Sequence, residues 1–189
     1  MRSQLPQIAR ALGADERTLR RATQRGAIRC RRPGARQLEL PPGEREYLDT
    51  HWDLLATLSS ALRTEPNVGF ALLFGSAARG DDRVDSDVDL LVQFRRSSSM
   101  AAARLGLRLE TRLAREVSVF RLDRVRERMP LAVLQALDEG RILLDRDDVW
   151  PGIRAQRPWF ERAAVERFEA DRRAAANSLE RLLSEQPSL

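Results

Sequence analysis

LLFGSAARGDDRVDSDVDLLVQF, residues 72–94, reads as an apolar strand, a Gly-Ser turn, a polar excursion and a second apolar strand bearing two aspartates. Ten residues separate Gly75-Ser76 from Asp87-Val88-Asp89. Residues two apart in a strand share a face and lie about 6.6 Å apart along the chain. Asp87 and Asp89 are therefore expected on one side, with Val88, Leu90 and Val92 on the other. Two carboxylates on an apolar strand are costly unless something neutralises them. A pair of Mg²⁺ ions holding phosphate oxygens would do so, and is suited to in-line phosphoryl or nucleotidyl transfer. Gly75-Ser76 adds a tight turn whose backbone N–H groups and hydroxyl favour phosphate. Asp81, Asp82 and Asp85 read as solvated loop residues.

Gly-Ser, ten residues, then Asp-x-Asp, with Ala78-Arg79-Gly80 and Ser86 between and Leu90-Leu91-Val92 after, resembles the minimal nucleotidyltransferases of the DNA polymerase beta superfamily. The resemblance covers roughly residues 66–146. It implies a nucleotidyltransferase fold that takes a nucleoside triphosphate, ATP in the first instance, with Mg²⁺. Gly75, Ser76 and Arg79 would hold the nucleotide, and Asp87 and Asp89 the metal. One departure stands out. The family places a third carboxylate on a later strand, as metal ligand and base for the attacking hydroxyl. The corresponding stretch here is Arg115-Glu116-Val117-Ser118-Val119-Phe120. Ser118 occupies the expected position, and a neutral serine is a poor base and a weak Mg²⁺ ligand. Glu116, one step back on the same face, and Asp123, just after the strand, are candidate substitutes. The alternative is that nothing substitutes.

Composition limits the function classes. The chain has 189 residues, enough for one or two domains, and no apolar run approaches the ~20 residues of a membrane span. The first residues, MRSQLPQIARALG, lack the apolar core of an export signal. A single cysteine, Cys30, excludes an internal disulfide, and a cytoplasmic location is expected. Cys30 and the lone His51 make no zinc set, and His51 reads as a helix-face residue. All 33 basic residues are arginine, a bias expected of a GC-rich genome. Position survives that explanation: residues 1–40 hold ten arginines against Asp15, Glu16 and Glu39, a net of +7, whereas the rest of the chain is near neutral.

Working outward, residues 4–12 and Glu16–Arg25 show helical spacing, with Asp15 as N-cap and Gly26 as terminator. Ala27–Arg32 and Arg36–Leu40 around Pro33-Gly34 read as a hairpin. Helix, turn, arginine-rich helix and basic hairpin resemble a winged helix-turn-helix. Arg20, Arg21 and Gln24 are its candidate base readers, and Arg29, Arg31, Arg32 and Arg36 its phosphate contacts on duplex DNA. A small helical module packed on the rest of the chain is the other reading.

Pro41-Pro42-Gly43 marks a boundary, which divides the chain into a DNA-binding module (1–43), a connecting helix (44–65), a nucleotidyltransferase domain (66–150) and a helical extension (151–189). The expected fold class is α+β: a mixed sheet with flanking helices, a small winged helix-turn-helix and a long C-terminal helix. Two functions remain open. One is a Mg²⁺-dependent enzyme that moves a nucleoside monophosphate to a protein or RNA hydroxyl, as do family members that are antitoxins of HEPN-like toxins. The other is a DNA-binding regulator with a catalytically degenerate transferase domain. Homo-oligomerisation is left open.

Overall fold

The computed structural model describes residues 5–34, 37–96, 98 and 100–184. The head comprises α1 (Leu5–Ala11), α2 (Glu16–Arg25) and an antiparallel pair, β1 (Arg31–Gly34) with β2 (Gln37–Glu39). Asp15 caps α2 by accepting the Arg17 N–H at 3.1 Å, and Gly26 ends it in the left-handed region. The hairpin departs from expectation at its first arm. Residues 27–30 are irregular, because Ala27 and Ile28 are buried rather than alternating, and Pro33-Gly34 belong to β1.

Next follow α3 (Glu44–Arg63), β3 (Val68–Phe74), the one-turn α4 (Ser76–Arg79), β4 (Val88–Phe94), α5 (Ala101–Leu113) and β5 (Val117–Arg121). The chain continues through α6 (Leu122–Arg128), α7 (Pro130–Glu139), β6 (Arg141–Asp145), α8 (Val149–Ala155) and α9 (Arg157–Ser184). Ser97 and Ser99 lie outside the described residues, and α5 begins after Met100. Strand order is β5-β4-β3-β6, with β4 parallel to β5 and β3 antiparallel to both β4 and β6. This is a mixed α+β arrangement.

Every residue of β3, VGFALLF, is buried, because helices cover both faces of the sheet. Alternation sorts the strands between two cores. Ala71, Leu73, Val88, Leu90, Val92 and Leu143 pack with α3, α5 and the head residues Leu5, Ile8, Leu19 and Ile28. Phe70, Leu72, Phe74 and Leu91 pack with Leu122, Val125, Val133, Ala136, Ile153 and Phe160. The head therefore shares a continuous core with the sheet.

A buried ion pair joins these parts. Arg141, 1% exposed, donates to both carboxylate oxygens of Glu44 at 2.6 and 3.0 Å, to the Ala78 carbonyl at 2.7 Å and to the Ala27 carbonyl at 3.2 Å. Its guanidinium carbon lies 3.4 Å from the Tyr47 ring centroid. Glu44 also accepts the Arg29 N–H at 2.9 Å. Burying such charges is tolerable only when nearly every donor is engaged, as it is here.

Candidate functional site

The site forms where β3 and β4 meet the Gly75 turn. Gly75 has φ 73° and ψ −158°, a conformation essentially restricted to glycine. A Cβ there would come within 2.6 Å of Asp89 Oδ2, so the Asp89 carboxylate packs against the turn. Asp87 immediately precedes β4, and Asp89 pairs across the sheet with Phe74 on β3 and Ser118 on β5. Val88, Leu90 and Val92 face the first core, which leaves Asp87 and Asp89 on the opposite face. Burial, and then the charge of Asp87, push the Asp89 carboxyl up to about 6, against the pull of Arg79. Two incompletely neutralised carboxylates of this kind are suitable donors for a hard divalent cation. Among the described residues, no group of three or more His, Cys, Asp or Glu is placed to hold a metal.

The Ser118 hydroxyl donates to Asp87 Oδ2 at 3.2 Å. Strand register sets the backbone of Glu116 level with Asp87, and the Glu116 carbonyl accepts the Val88 N–H at 2.9 Å. Its side chain is exposed and makes no hydrogen bond or ion pair among the described residues. Asp123 is not a substitute. The parallel register sets Arg121 beside Val92, so Asp123 lies past the far end of the strands, paired with Arg121 at 2.5 Å.

Ser76 opens α4, half-buried, and Arg79 closes it, exposed. Arg79 donates to Asp81 at 3.0 Å and to both oxygens of Glu139 at 2.9 Å, which hold its guanidinium firmly protonated. Glu139 Oε1 also accepts the Gly75 N–H at 3.2 Å. The sequence reading missed Glu139. It lies 60 residues from Arg79, and only the antiparallel β3–β6 pairing brings the start of β6 to the end of β3.

Asp82, expected to be solvated, is half-buried, and its side chain is only 6% exposed. Asp82 Oδ1 lies 2.6 Å from His51 Nε2, and its Oδ2 accepts from Arg115 at 2.6 Å. Burial works to raise its carboxyl, but hydrogen bonds from His51 and Arg115 outweigh it and hold Asp82 below the ordinary carboxylate value. Arg115 also donates to the Ser86 carbonyl at 2.6 Å, one residue before Asp87. His51 stacks on Tyr47 at 4.5 Å between centroids, and the Tyr47 hydroxyl donates to the Ala77 carbonyl at 2.9 Å. The excursion between turn and strand is thus braced against α3.

In the head, Arg21, Gln24 and Arg31 are exposed, and Arg20 is exposed but paired with Glu16 at 2.6 Å. Arg29 departs from its expected phosphate role. It is half-buried and its guanidinium donates to the Glu139 carbonyl at 2.5 Å. The Arg32 side chain and all of Arg36 lie outside the described residues.

The mixed sheet, the Gly-Ser turn and the paired aspartates belong to a stretch, residues 56–149, that matches the family "Polymerase beta, Nucleotidyltransferase". This part of the chain is a nucleotidyltransferase-family domain. Among solved structures, the chain is similar to a toxin–antitoxin structure with AMP-PNP, at 19% identity and a TM-score of 0.49, covering 67% of this chain and 98% of that one. It is also similar to a chain in the complex of a tri-AMPylated Shewanella oneidensis HEPN toxin with MNT antitoxin, at 17% identity and a TM-score of 0.48, covering 69% and 99%. A search of curated proteins returns no match. No helix among the described residues is long and apolar enough to cross a membrane.

Proposed function

We propose that the sheet domain binds a nucleoside triphosphate with Mg²⁺ and transfers its nucleoside monophosphate to a hydroxyl on a partner protein, in the manner of an antitoxin acting on a HEPN-like toxin. The observation that carries this reading is the Asp87–Asp89 pair beside the Gly75 turn, with the Asp89 carboxyl pushed up to about 6. Asp87 and Asp89 would hold the metal, which when bound supplies positive charge to the phosphates. Gly75, Ser76 and Arg79 orient the phosphate chain. The bracing of Asp82 by His51 and Arg115 keeps the excursion, and so Asp87, in place.

The acceptor class comes from the family that the motif resembles, whose antitoxins add AMP to a toxin. The test is incorporation of labelled AMP into the product of a neighbouring gene co-expressed with this chain. Modification that depends on Asp87 and Asp89 supports the reading, and its absence across ATP, GTP, CTP and UTP removes it.

A second reading is favoured by Ser118, which supplies a hydroxyl where a carboxylate is needed. It is a DNA-binding regulator whose degenerate transferase domain binds nucleotide without transfer, with Arg20, Arg21, Gln24 and Arg31 on the duplex. Nucleotide binding without transfer, together with a mobility shift on promoter DNA, would select it.

A further inference from the structure

Glu139 makes an arrangement that neither its helix nor the chemistry above requires. It is the last residue of α7, where an acidic side chain faces the negative end of the helix dipole, and α7 has no basic residue in its last turn. Local helix stability therefore disfavours a carboxylate at this position. Its contacts are specific: the Gly75 N–H at 3.2 Å, and Arg79 to both oxygens at 2.9 Å. These donors belong to the turn and to the arginine on which phosphate recognition rests. A carboxylate is planar and a phosphate tetrahedral, but both present anionic oxygens that accept from the same N–H groups. Two anions cannot share one backbone N–H without repulsion.

We propose that Glu139 is an internal anion on the phosphate-binding donors, and that triphosphate binds by exchanging with it at Gly75 and Arg79. This rests on the nucleotide-binding reading and adds a determinant of affinity to it. The geometry allows exchange by side-chain rotation alone. The Glu139 backbone is held by Arg29, which donates to its carbonyl, while the carboxylate is 19% exposed and borders solvent. Asp81, also on Arg79, keeps the guanidinium aligned during the exchange. With Glu139 turned away, the Nη1 group of Arg79, on a side chain 44% exposed, is free for phosphate while Asp81 holds Nε.

The test uses the full chain and its Glu139→Gln variant, titrated calorimetrically with inorganic tripolyphosphate without metal and with ATP plus Mg²⁺. Neutral glutamine should tighten tripolyphosphate binding about tenfold, the factor that one charge-assisted hydrogen bond is worth. Adding Arg79→Ala should abolish the gain. Unchanged or weaker tripolyphosphate binding in Glu139→Gln would overturn the proposal. In the wild-type chain, the Gly75 amide resonance should move on saturation with tripolyphosphate, and an unmoved resonance counts against the exchange. The two readings separate cleanly. Tighter tripolyphosphate binding with ATP binding indifferent to Mg²⁺ upholds the Glu139 exchange and rejects the metal-dependent transferase.

Discussion

Ser118 donates its hydroxyl proton to Asp87 at 3.2 Å from the β5 position paired with Asp89. A hydroxyl thus contacts Asp87 from the strand position level with Asp89. It stabilises Asp87 as an acceptor but offers no base.

Ser118→Asp should raise labelled AMP transfer about 10²-fold, the lower end of what a positioned general base contributes. An unchanged rate, together with loss of transfer in Glu116→Ala, would instead assign the base to Glu116.

Replacing Asp87 and Asp89 together by asparagine should abolish Mg²⁺-dependent triphosphate binding, since neutral amides cannot offset the charge of a metal–phosphate cluster. Calorimetry with and without Mg²⁺ checks this. A double variant that binds like the wild type would remove these residues from the site. Ser76→Ala should weaken binding less, because backbone donors remain.

The Asp89 carboxyl titrates at about 6 in the native chain, above the ordinary 3.8, through burial first and Asp87 second. Between these values the native state binds more protons than the unfolded state, so stability falls as pH rises through this interval and levels off above it. Asp89→Asn should flatten that fall. Relative to the variant, the wild type should lose about 1 kcal/mol between pH ~4 and pH ~7, after allowance for solvent screening of a half-exposed group. Urea unfolding at the two pH values measures the difference, and a wild type that gains relative to the variant would contradict the sign.

Arg141→Met should destabilise the fold by about 3–5 kcal/mol, because it strands the buried Glu44 carboxylate. Adding Glu44→Gln should recover part of that loss. Denaturant melts of the two variants give the comparison, and additive losses would show that the pair is not coupled.

Much of the fold was legible locally. α2, α3, β3, β4 and α7 begin and end at capping or breaking residues such as Asp15, Gly26, Gly43 and Pro130, and their apolar spacing is unambiguous. The paired aspartates and the turn were legible for the same reason, all lying within fifteen residues of one another. The helices α6 and α8 were not, being short segments whose apolar residues match no single period. The partners of the loop acids were hidden by distance along the chain. Asp82 meets His51 and Arg115 across 31 and 33 residues, and Glu139 meets Arg79 across 60. Asp123 looked usable because sequence proximity to Ser118 does not reveal that the parallel strand carries it away from the site. The head's arginines showed their charge but not their direction, and Arg29 turns inward to the Glu139 carbonyl.

The Glu44–Arg141 pair also sets a timetable for synthesis. Arg141 follows Glu44 by 97 residues, about 5–20 s of elongation at ordinary rates. Until β6 emerges, Glu44 has at most the Arg29 N–H for its buried carboxylate, and the head has no outer strand to close against. The nascent chain therefore carries its N-terminal helices in a waiting state, open to chaperones and proteases, and seals them only when nearly the whole sheet has left the ribosome.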